Sequence, residues 1–344
     1  MDLRQLRYYA QIVESGSLSK ASRVLYVAQP ALSQQMSKLE AEVGRTLLVR
    51  SPTGVAPTEH GLALYHQARF MLRQMDQAMS IARQGSGAVH GMVSVGLPAT
   101  TVAALGLSLV RRVRERYPGI LLNVVEGMSG HLGQMMRVGK LDLAVLFSRD
   151  AAQDVAVEPL LQEELFVFLS ETGSLFAPGR TSMTLAEAAA LPLIVPTGEH
   201  GLRRRIATEF EHRNLSMRIV AEIDSLSLVM NCVEAGIAAT IKPMAAVFLE
   251  GQRGRHFRAL SISDARMRRT NYLYSLPSSR LSAAAAAVAT ELRQAVRELL
   301  ASGRLAGVEA IDAEAPVAVE DALHTVAAPP GRRQTARRTR GAAA

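Results

Sequence analysis

The sequence predicts an α/β protein whose N-terminal segment is all-α and ends in a short hairpin. Residues 3–43 repeat apolar side chains at helical spacing, which predicts consecutive helices. Beyond residue 90, short β-prone runs alternate with helical stretches, which is typical of mainly parallel sheets flanked by helices. A chain of 344 residues allows two or three domains, and about 180 residues of this alternation fit two small subdomains better than one.

Composition limits the class of protein. The single cysteine excludes an intrachain disulfide and a multi-thiolate metal site, and the N-terminus lacks the apolar stretch of a signal peptide. The longest apolar run, residues 283–289, is far shorter than the roughly 18 residues that a membrane span needs. We therefore expect a soluble, cytoplasmic protein with no membrane partner.

The net charge of +8 does not by itself identify a function. Residues 1–60 hold seven basic and five acidic side chains, so this segment carries only +2. The one strongly basic block lies within residues 332–340, which follow an acidic block at 309–321. We expect the tail, residues 305–344, to be disordered. It is either a solvated extension or a segment that attracts phosphate or another polyanion.

Three helices are expected in the first 43 residues. The first carries an apolar repeat over residues 3–13 and ends at Gly16, and Ser17 caps the second, at residues 18–25. A third helix opens at Pro30, where proline is tolerated because the first-turn N–H has no intrahelical partner. The apolar side chains of the third helix form one stripe: Leu32, Met36, Leu39 and Val43.

A hairpin and a long helix follow. Two short β-prone runs, residues 47–50 and 54–57, flank a turn and predict a small hairpin. Together with the three helices, the hairpin gives residues 1–60 the shape of a winged helix-turn-helix. Thr58 caps an amphipathic helix that extends to about Arg83, and its apolar stripe has no partner inside that segment. Residues 61–87 are therefore interpreted as a dimerisation helix and hinge. Packing of this helix on a later domain is the alternative.

The third helix is the candidate DNA reader. Glutamine can bond adenine through a bidentate fork, serine serves donor or acceptor edges, and lysine reaches phosphate. An arginine in the hairpin is placed to contact phosphate or the minor groove. The alternative is that any soluble helix has such a polar face. The candidate residues are Gln29, Pro30, Ser33, Gln34, Ser37, Lys38 and, in the hairpin, Arg50.

The run from Leu18 to Glu40 resembles the DNA-binding signature of LysR-type transcriptional regulators. The segments 47–50 and 57–61 continue the resemblance in register. Within the family, the segments 12–18 and 141–147 most resemble the nitrogen assimilation control subgroup. The match is dense over residues 1–85 and more diffuse beyond them.

This resemblance implies a transcriptional regulator with three parts. A winged DNA-binding domain and a dimerising linker helix precede an effector-binding domain, residues 88–304, that is like the periplasmic binding proteins. Its subdomain I would comprise residues 91–161 and 270–304, and its subdomain II residues 162–269. The implied partners are double-stranded DNA, further copies of the chain in a homodimer or homotetramer, and RNA polymerase.

Ligands of such two-subdomain folds lie at the carboxyl ends of strands and the N-termini of helices. Four hydroxyl residues in such turns match the positions at which the family contacts effectors, and they suit a small carboxylate or an amino-acid-like effector: Thr100, Thr101, Ser129 and Thr197. Helix capping is the alternative role for these residues. The subgroup also includes regulators that act without a small inducer.

Two further residues are singled out. Lys242 stands before Pro243, where the family commonly has an apolar residue, and it either attracts an anion at the cleft mouth or extends outward to solvent. Cys232 is expected to be a buried, inert thiol.

The rival classes are an enzyme and a free-standing solute-binding protein. The eight histidines show no HxxxH or HExxH spacing, and the chain has neither a G-x-S-x-G elbow nor a GxxxxGK[ST] loop. We therefore expect no catalytic residues, no metal and no cofactor. A secreted solute binder would need a signal peptide.

Overall fold

The structure is a computed structural model, and it describes residues 1–52, 54–84, 89–137, 139–149, 155–171, 179–198, 201–248, 257–278 and 280–311. Residues 1–312 form one compact unit. Residues 85–88, at the end of the expected dimerisation helix and hinge, and most of the expected tail, residues 312–344, lie outside the described residues. No helix in the described ranges is long and apolar enough to span a bilayer.

The N-terminal segment has the predicted order of elements. The helices are α1 (Leu3–Ser15), α2 (Leu18–Leu25), α3 (Gln29–Val43) and α4 (Glu59–Gln84), and the hairpin strands β1 (Leu48–Ser51) and β2 (Gly54–Pro57) lie between α3 and α4. Asp2 and Gln5 form a capping box at the start of α1, and Gly16 ends α1 in the left-handed conformation, with φ 61°. Ser17 accepts a hydrogen bond from the Lys20 N–H and so caps α2 as predicted.

The buried stripe of α3 is confirmed except at its last position. Leu32, Met36 and Leu39 are buried against α1 and the start of the hairpin, whereas Val43 is 40% exposed. Val43 is the last residue of α3, and Gly44 then turns the chain away in the left-handed conformation. The 3.6-residue spacing of apolar residues therefore predicts burial only within the body of the helix.

The first half of α4 packs on the winged domain, which corrects the expectation of a stripe without a local partner. Tyr65 is buried in the same core as Tyr9 of α1, Leu64 and Leu72 pack against that core, and Ala68 is also fully buried. Helical spacing predicts which side chains share a face, but it does not reveal that part of that face lies on an earlier helix.

The remainder of the described chain is a mixed α/β assembly. The helices are α5 (Ala99–Thr101), α6 (Leu107–Arg116), α7 (Ser129–Arg137), α8 (Leu185–Ala190), α9 (Gly201–His212), α10 (Leu226–Glu234) and α11 (Ala283–Ser302), with a π-turn over Val102–Gly106 and a 3₁₀ turn over Met244–Phe248. The strands are β3 (Gly91–Leu97), β4 (Ile120–Glu126), β5 (Leu143–Leu146), β6 (Ala156–Ser170), β7 (Ser182–Met183), β8 (Pro192–Val195), β9 (Arg218–Glu222), β10 (Ala239–Pro243), β11 (Phe257–Ile262), β12 (Arg268–Ser275) and β13 (Val308–Glu309).

The expectation of mainly parallel sheets is wrong at the centre of this assembly. β3 pairs in parallel with β4 and β5, and β8 pairs in parallel with β9 and β10. Between these groups lie β6 and β12, which are antiparallel to each other and to their other described neighbours. Sequence periodicity identifies a strand but not the direction of the strand beside it.

Strand β6 is three times as long as its apolar run, residues 165–169, indicates. The strand spans Ala156–Ser170. Its first half is rich in polar residues, including Glu158, Gln162 and Glu163, and so lacks an apolar signal. Two cores divide along this strand. Leu161 joins a core with β3, β5, α6 and α11, whereas Leu165 and Val167 join a core with α8, α9, β8 and β10.

The chain remains ordered beyond residue 304, which corrects the predicted start of the tail. Leu305 is buried, and β13 pairs with β6 through Val308 opposite Glu163 and Glu309 opposite Gln162. The strand is only two residues long and precedes a run rich in Ala, Pro, Glu and Arg, so composition alone suggests disorder. Its order comes from an edge of β6 that would otherwise lack a partner at this point.

Candidate nucleic-acid interface and effector cleft

The polar residues at the start of α3 form an exposed face. Gln29, Pro30, Gln34, Ser37 and Lys38 are exposed, and Ser33 is half-buried. The Ser19 hydroxyl on α2 donates to Gln29 Oε1 over 3.0 Å, which orients the amide. The Ser37 hydroxyl donates to the Ser33 carbonyl oxygen over 3.2 Å. The structure therefore brings six of the predicted DNA-contacting residues onto one helix face.

The seventh predicted residue, Arg50, lies on β1 and reaches this face. Its Nη1 donates to the Ser33 hydroxyl oxygen over 3.0 Å, which links the hairpin to α3. The position of the hairpin is fixed by Glu40, whose Oε1 accepts the Leu47 N–H over 2.8 Å and the Leu48 N–H over 3.1 Å. This role of Glu40 has no signature in the sequence, because the carboxylate bonds to backbone atoms seven and eight residues later.

The turn after β3 holds the first two candidate effector residues. Thr100 and Thr101 are both buried, and α5 begins after Pro98 without a side-chain cap. Thr100 Oγ1 instead accepts from Nη2 of Arg269 on β12 over 2.7 Å. The capping alternative therefore does not hold for Thr100, and the hydroxyl proton of this residue is free to donate to a ligand.

Ser129 and Thr197 are held by other partners. Ser129 is buried at the start of α7, and its hydroxyl oxygen accepts the Phe147 N–H over 3.2 Å. Both donors of Thr197 are directed to Asp224: its N–H bonds Oδ1 over 3.0 Å, and its hydroxyl lies 3.0–3.1 Å from both carboxylate oxygens. The exposed Asp224 carboxylate thus already occupies the donors of Thr197, which was expected to bind the carboxylate of an effector.

A buried ionic network that sequence reasoning missed lies beside Thr100. Arg269 pairs with Glu163 over 2.8 Å, and both side chains are almost completely buried. Asn271 donates to the same Glu163 oxygen over 2.8 Å, and the Arg269 guanidinium lies 3.8 Å from the centre of the Phe147 ring. The paired side chains come from β6 and β12, and the ring follows β5, so only the folded sheet reveals them.

Lys242 lies inside the protein, which excludes the expected outward-extending conformation. It is 6% exposed on β10, opposite Phe166 of β6. Burial and, to a smaller extent, the Arg269 guanidinium lower the pKa of the Lys242 ammonium, and the Asp224 carboxylate partly offsets them, so that the pKa is about 8. Lys242 is thus a cation in the interior, in the electrostatic field of both the Arg269 and the Asp224 side chains.

Two other expectations concern metals and thiols. Cys232 is only partly buried beside Val229, so the predicted full burial is wrong. Across the described ranges, no group of three His, Cys, Asp or Glu side chains is arranged to hold a metal ion.

Comparison with known proteins identifies similar chains over most of this length. Residues 3–62 match the family model described as bacterial regulatory helix-turn-helix protein, lysR family, and residues 86–297 match the LysR substrate binding domain. Over 247 residues the chain is 37% identical to the nitrogen assimilation regulatory protein nac of Klebsiella aerogenes and 33% identical to nac of Escherichia coli (strain K12). Each match covers 72% of this chain and 79% of the relative.

The fold is also similar to that of solved full-length regulators. A full-length variant of OxyR from Pseudomonas aeruginosa aligns with a TM-score of 0.65 at 22% identity, over 86% of this chain and 98% of that one. At this identity the likeness concerns the fold alone.

Proposed function

The chain belongs to the LysR family of DNA-binding transcriptional regulators, and from that premise we propose that α3 is its recognition helix and the β1–β2 hairpin its wing. Members of this family are regulators of transcription rather than enzymes. The observation that carries the proposal is the exposed polar face of α3, to which Arg50 of the hairpin is hydrogen-bonded.

The side chains of this face have distinct roles in the proposed complex. Gln29, Pro30, Ser33, Gln34 and Ser37 lie in the major groove, where amides and hydroxyls meet base edges. Lys38 and Arg50 contact phosphate or the adjacent minor groove. Two recognition helices of a dimer read a dyad-symmetric promoter site whose half-sites are separated by roughly 10 bp or a multiple of that spacing.

This assignment is tested by DNA binding of point variants. Genome-wide footprinting first identifies the sites, and fluorescence anisotropy then compares one site with random DNA. Ser33→Ala and Gln34→Ala are expected to reduce the discrimination between the two by about 1–3 kcal/mol, because they remove base-edge contacts. Arg50→Ala is expected to weaken binding to both DNAs about equally. Gln67→Ala, at an exposed position of α4, is the matched control. Parental discrimination in both α3 variants would contradict the assignment.

We also propose that α4 forms the seam of a homodimer and that two dimers assemble as a tetramer. Support comes from the second half of α4, where three methionines recur every four residues: Met71, Met75 and Met79. Met71 and Met79 are exposed and Met75 is half-buried in the single chain. An apolar stripe of this kind on an amphipathic helix is suited to burial against a second copy.

The domain boundaries are proposed with the same function. Residues 1–60 bind DNA, residues 61–87 connect and dimerise, and residues 88–304, together with the following segment that pairs with β6 through β13, form the effector domain. The division of two cores along β6 supports subdomain I at 91–161 and 270–304 and subdomain II at 162–269. The bound oligomer acts in the cytoplasm, where it meets the chromosome and contacts RNA polymerase.

A small carboxylate or amino-acid-like effector is proposed to bind between the subdomains, near Thr100, Thr101, Ser129 and Thr197. Support comes from the Thr100 and Ser129 hydroxyls, which accept one hydrogen bond each and retain a proton to donate. Binding would shift subdomain closure and hence the bend imposed on DNA. Calorimetric titration of the full-length protein with small carboxylates and amino acids tests this, and absence of binding across that panel would overturn it.

A further inference from the structure

Lys242 is a buried ammonium of the effector domain to which the described residues provide no hydrogen-bonded or ion-paired counter-ion. The residue is 6% exposed, and within the described ranges its side chain makes neither a hydrogen bond nor an ion pair. A buried charge is normally paired or hydrogen-bonded, because the protein interior does not replace the hydration of the ion. The part of the chain that the structure describes therefore leaves the charge of Lys242 without a direct partner.

The neighbouring acids are already engaged. Glu163 accepts from Arg269 and Asn271, and Asp224 is exposed and accepts both donors of Thr197. Arg269 is a second buried cation that acts on Lys242, whereas the acid that acts on it, Asp224, is exposed to solvent. A buried ammonium beside a second buried cation favours an incoming anion.

Hydrogen-bond donors connect this cation to the rest of the candidate cleft. Arg269 interacts electrostatically with Lys242 and donates to Thr100 Oγ1 over 2.7 Å, which leaves the Thr100 hydroxyl proton available. Thr197 has no donor to spare, since its N–H and hydroxyl both serve Asp224. The anion-binding side of the cleft is thus the one with Lys242, Arg269 and Thr100.

We propose that Lys242 determines the charge specificity of the effector site by binding one anionic oxygen group of the ligand, with the Thr100 hydroxyl as a second donor. This inference rests on the proposed effector function and adds the residue that selects the ligand. The shared chemistry is a small oxyanion, which an organic carboxylate or an inorganic ion supplies. A neutral ligand of the same size would leave the ammonium unpaired and would not bind.

The test measures thermal shifts and calorimetric binding on the full-length protein. The probes are acetate and succinate as carboxylates, sulfate and phosphate as inorganic oxyanions, and succinamide as the neutral analogue of succinate, all at matched ionic strength. Lys242→Met removes the charge with little change in shape, and Lys242→Arg retains it. Lys140→Met is the matched control, because Lys140 is an exposed lysine of the same domain.

We expect at least one anion to raise the Tm of the parent protein, whereas succinamide does not. Lys242→Met is expected to bind that anion at least tenfold more weakly, Lys242→Arg to retain more of the affinity, and Lys140→Met to match the parent. Comparison of the carboxylate probes with the inorganic probes shows whether the bound oxyanion is organic or inorganic. Parental affinity in a folded Lys242→Met protein would overturn the inference, and so would the absence of any anion effect on the parent.

Footprinting and anisotropy on the same preparations keep the two proposals apart. Absence of sequence-specific DNA binding by the parent protein would overturn the recognition-helix assignment. It would not affect the inference of anion binding at Lys242. Specific DNA binding combined with anion binding that is independent of Lys242 would overturn only the present inference.

Discussion

At the scale of single residues, the Arg269–Glu163 pair has the most consequence for the stability of the effector domain. Both side chains are almost completely buried, and Glu163 also accepts from Asn271. An ion pair taken out of water is weak evidence of net stabilisation, but removing one partner leaves an unpaired charge in the interior. The network therefore acts mainly as a constraint on how β6 and β12 pair.

Glu163→Gln is expected to lower the free energy of unfolding by about 3–5 kcal/mol, because the Arg269 guanidinium loses its counter-ion inside the protein. Urea unfolding followed by circular dichroism measures the change. Glu164→Gln is the control: the same substitution one residue later, at a half-buried position. Equal stability of the two variants would show that the buried pair does not constrain the sheet.

The pH dependence of stability tests the state of Lys242 without a ligand. Its ordinary pKa of 10.5 in the unfolded chain falls to about 8 in the fold. Between these values the unfolded state binds more protons, so the free energy of unfolding should rise with pH, by up to about 1.4 kcal/mol per pH unit. The charged side chains that act on Lys242 are Arg269, which is itself paired with Glu163, and Asp224.

The measurement compares the parent with Lys242→Met between pH 8 and 10. The parent should gain stability over this range, and the variant should lack that gain. The upper limit is set by Tyr9, whose pKa is raised by burial and by Glu40. The unfolded chain loses the tyrosine proton first, so stability falls again above about pH 10. Identical slopes in both proteins would mean that Lys242 is not a buried ammonium.

At the scale of elements, the winged domain was predictable almost entirely because its signals are local. Ser17, Pro30, Thr58 and Gly16 act within one helical turn of their position, and the α3 stripe follows from the 3.6-residue period. The seven candidate DNA-contacting residues were therefore found from spacing and resemblance. The contact between Arg50 and Ser33 was not, since it joins residues on two separate elements.

The effector domain was less predictable because its key contacts are long-range. Arg269 and Glu163 are 106 positions apart, and Thr100 is 169 positions from Arg269. The polar half of β6 and the short strands β7, β11 and β13 lack the apolar alternation on which strand prediction depends. Their pairing is set by the sheet edges available in the folded chain, which no single-sequence pattern encodes.

Also at this scale, a charge on the methionine stripe of α4 should dissociate the proposed dimer. Met79→Glu places a carboxylate on a stripe expected to face a second copy, where burial of an unpaired charge is unfavourable. Met79 is 49% exposed in the single chain, so the monomer fold should be retained. Sedimentation equilibrium is expected to show at least a tenfold weaker self-association.

The control for this experiment lies on the same helix. Gln74→Glu adds the same charge at an exposed position about 100° around the helix from Met75. It should leave self-association unchanged. If Met79→Glu associates as the parent does, the stripe is not the seam, and the dimer must form through another surface.

At the scale of the whole molecule, the end of the described chain connects the last helix to the central strand. After α11, Leu305 is buried, the Glu164 N–H donates to the Gly307 carbonyl oxygen over 2.7 Å, and β13 pairs with β6. Glu309 also forms an ion pair with Arg268 at the start of β12. This segment therefore contacts both long strands where the two cores meet.

Truncation after Arg304 should consequently destabilise the effector domain, whereas truncation after Asp312 should not. The shorter protein loses the burial of Leu305 and the pairing with β6, which together contribute roughly 2–4 kcal/mol. The longer one retains the whole compact unit, residues 1–312. Thermal unfolding measured by circular dichroism should give a Tm several degrees lower for the shorter protein only.

A pair of glycine variants tests whether the segment stabilises the domain by packing on β6, without any change in chain length. Gly307 and Gly303 both have left-handed φ values, +71° and +58°, so alanine strains the backbone similarly at each. A methyl group at Gly307 would lie 2.7 Å from the Phe166 ring, whereas nothing lies within 4 Å at Gly303. Gly307→Ala should therefore lower the Tm more than Gly303→Ala. Equal losses would mean that the segment does not pack tightly on β6.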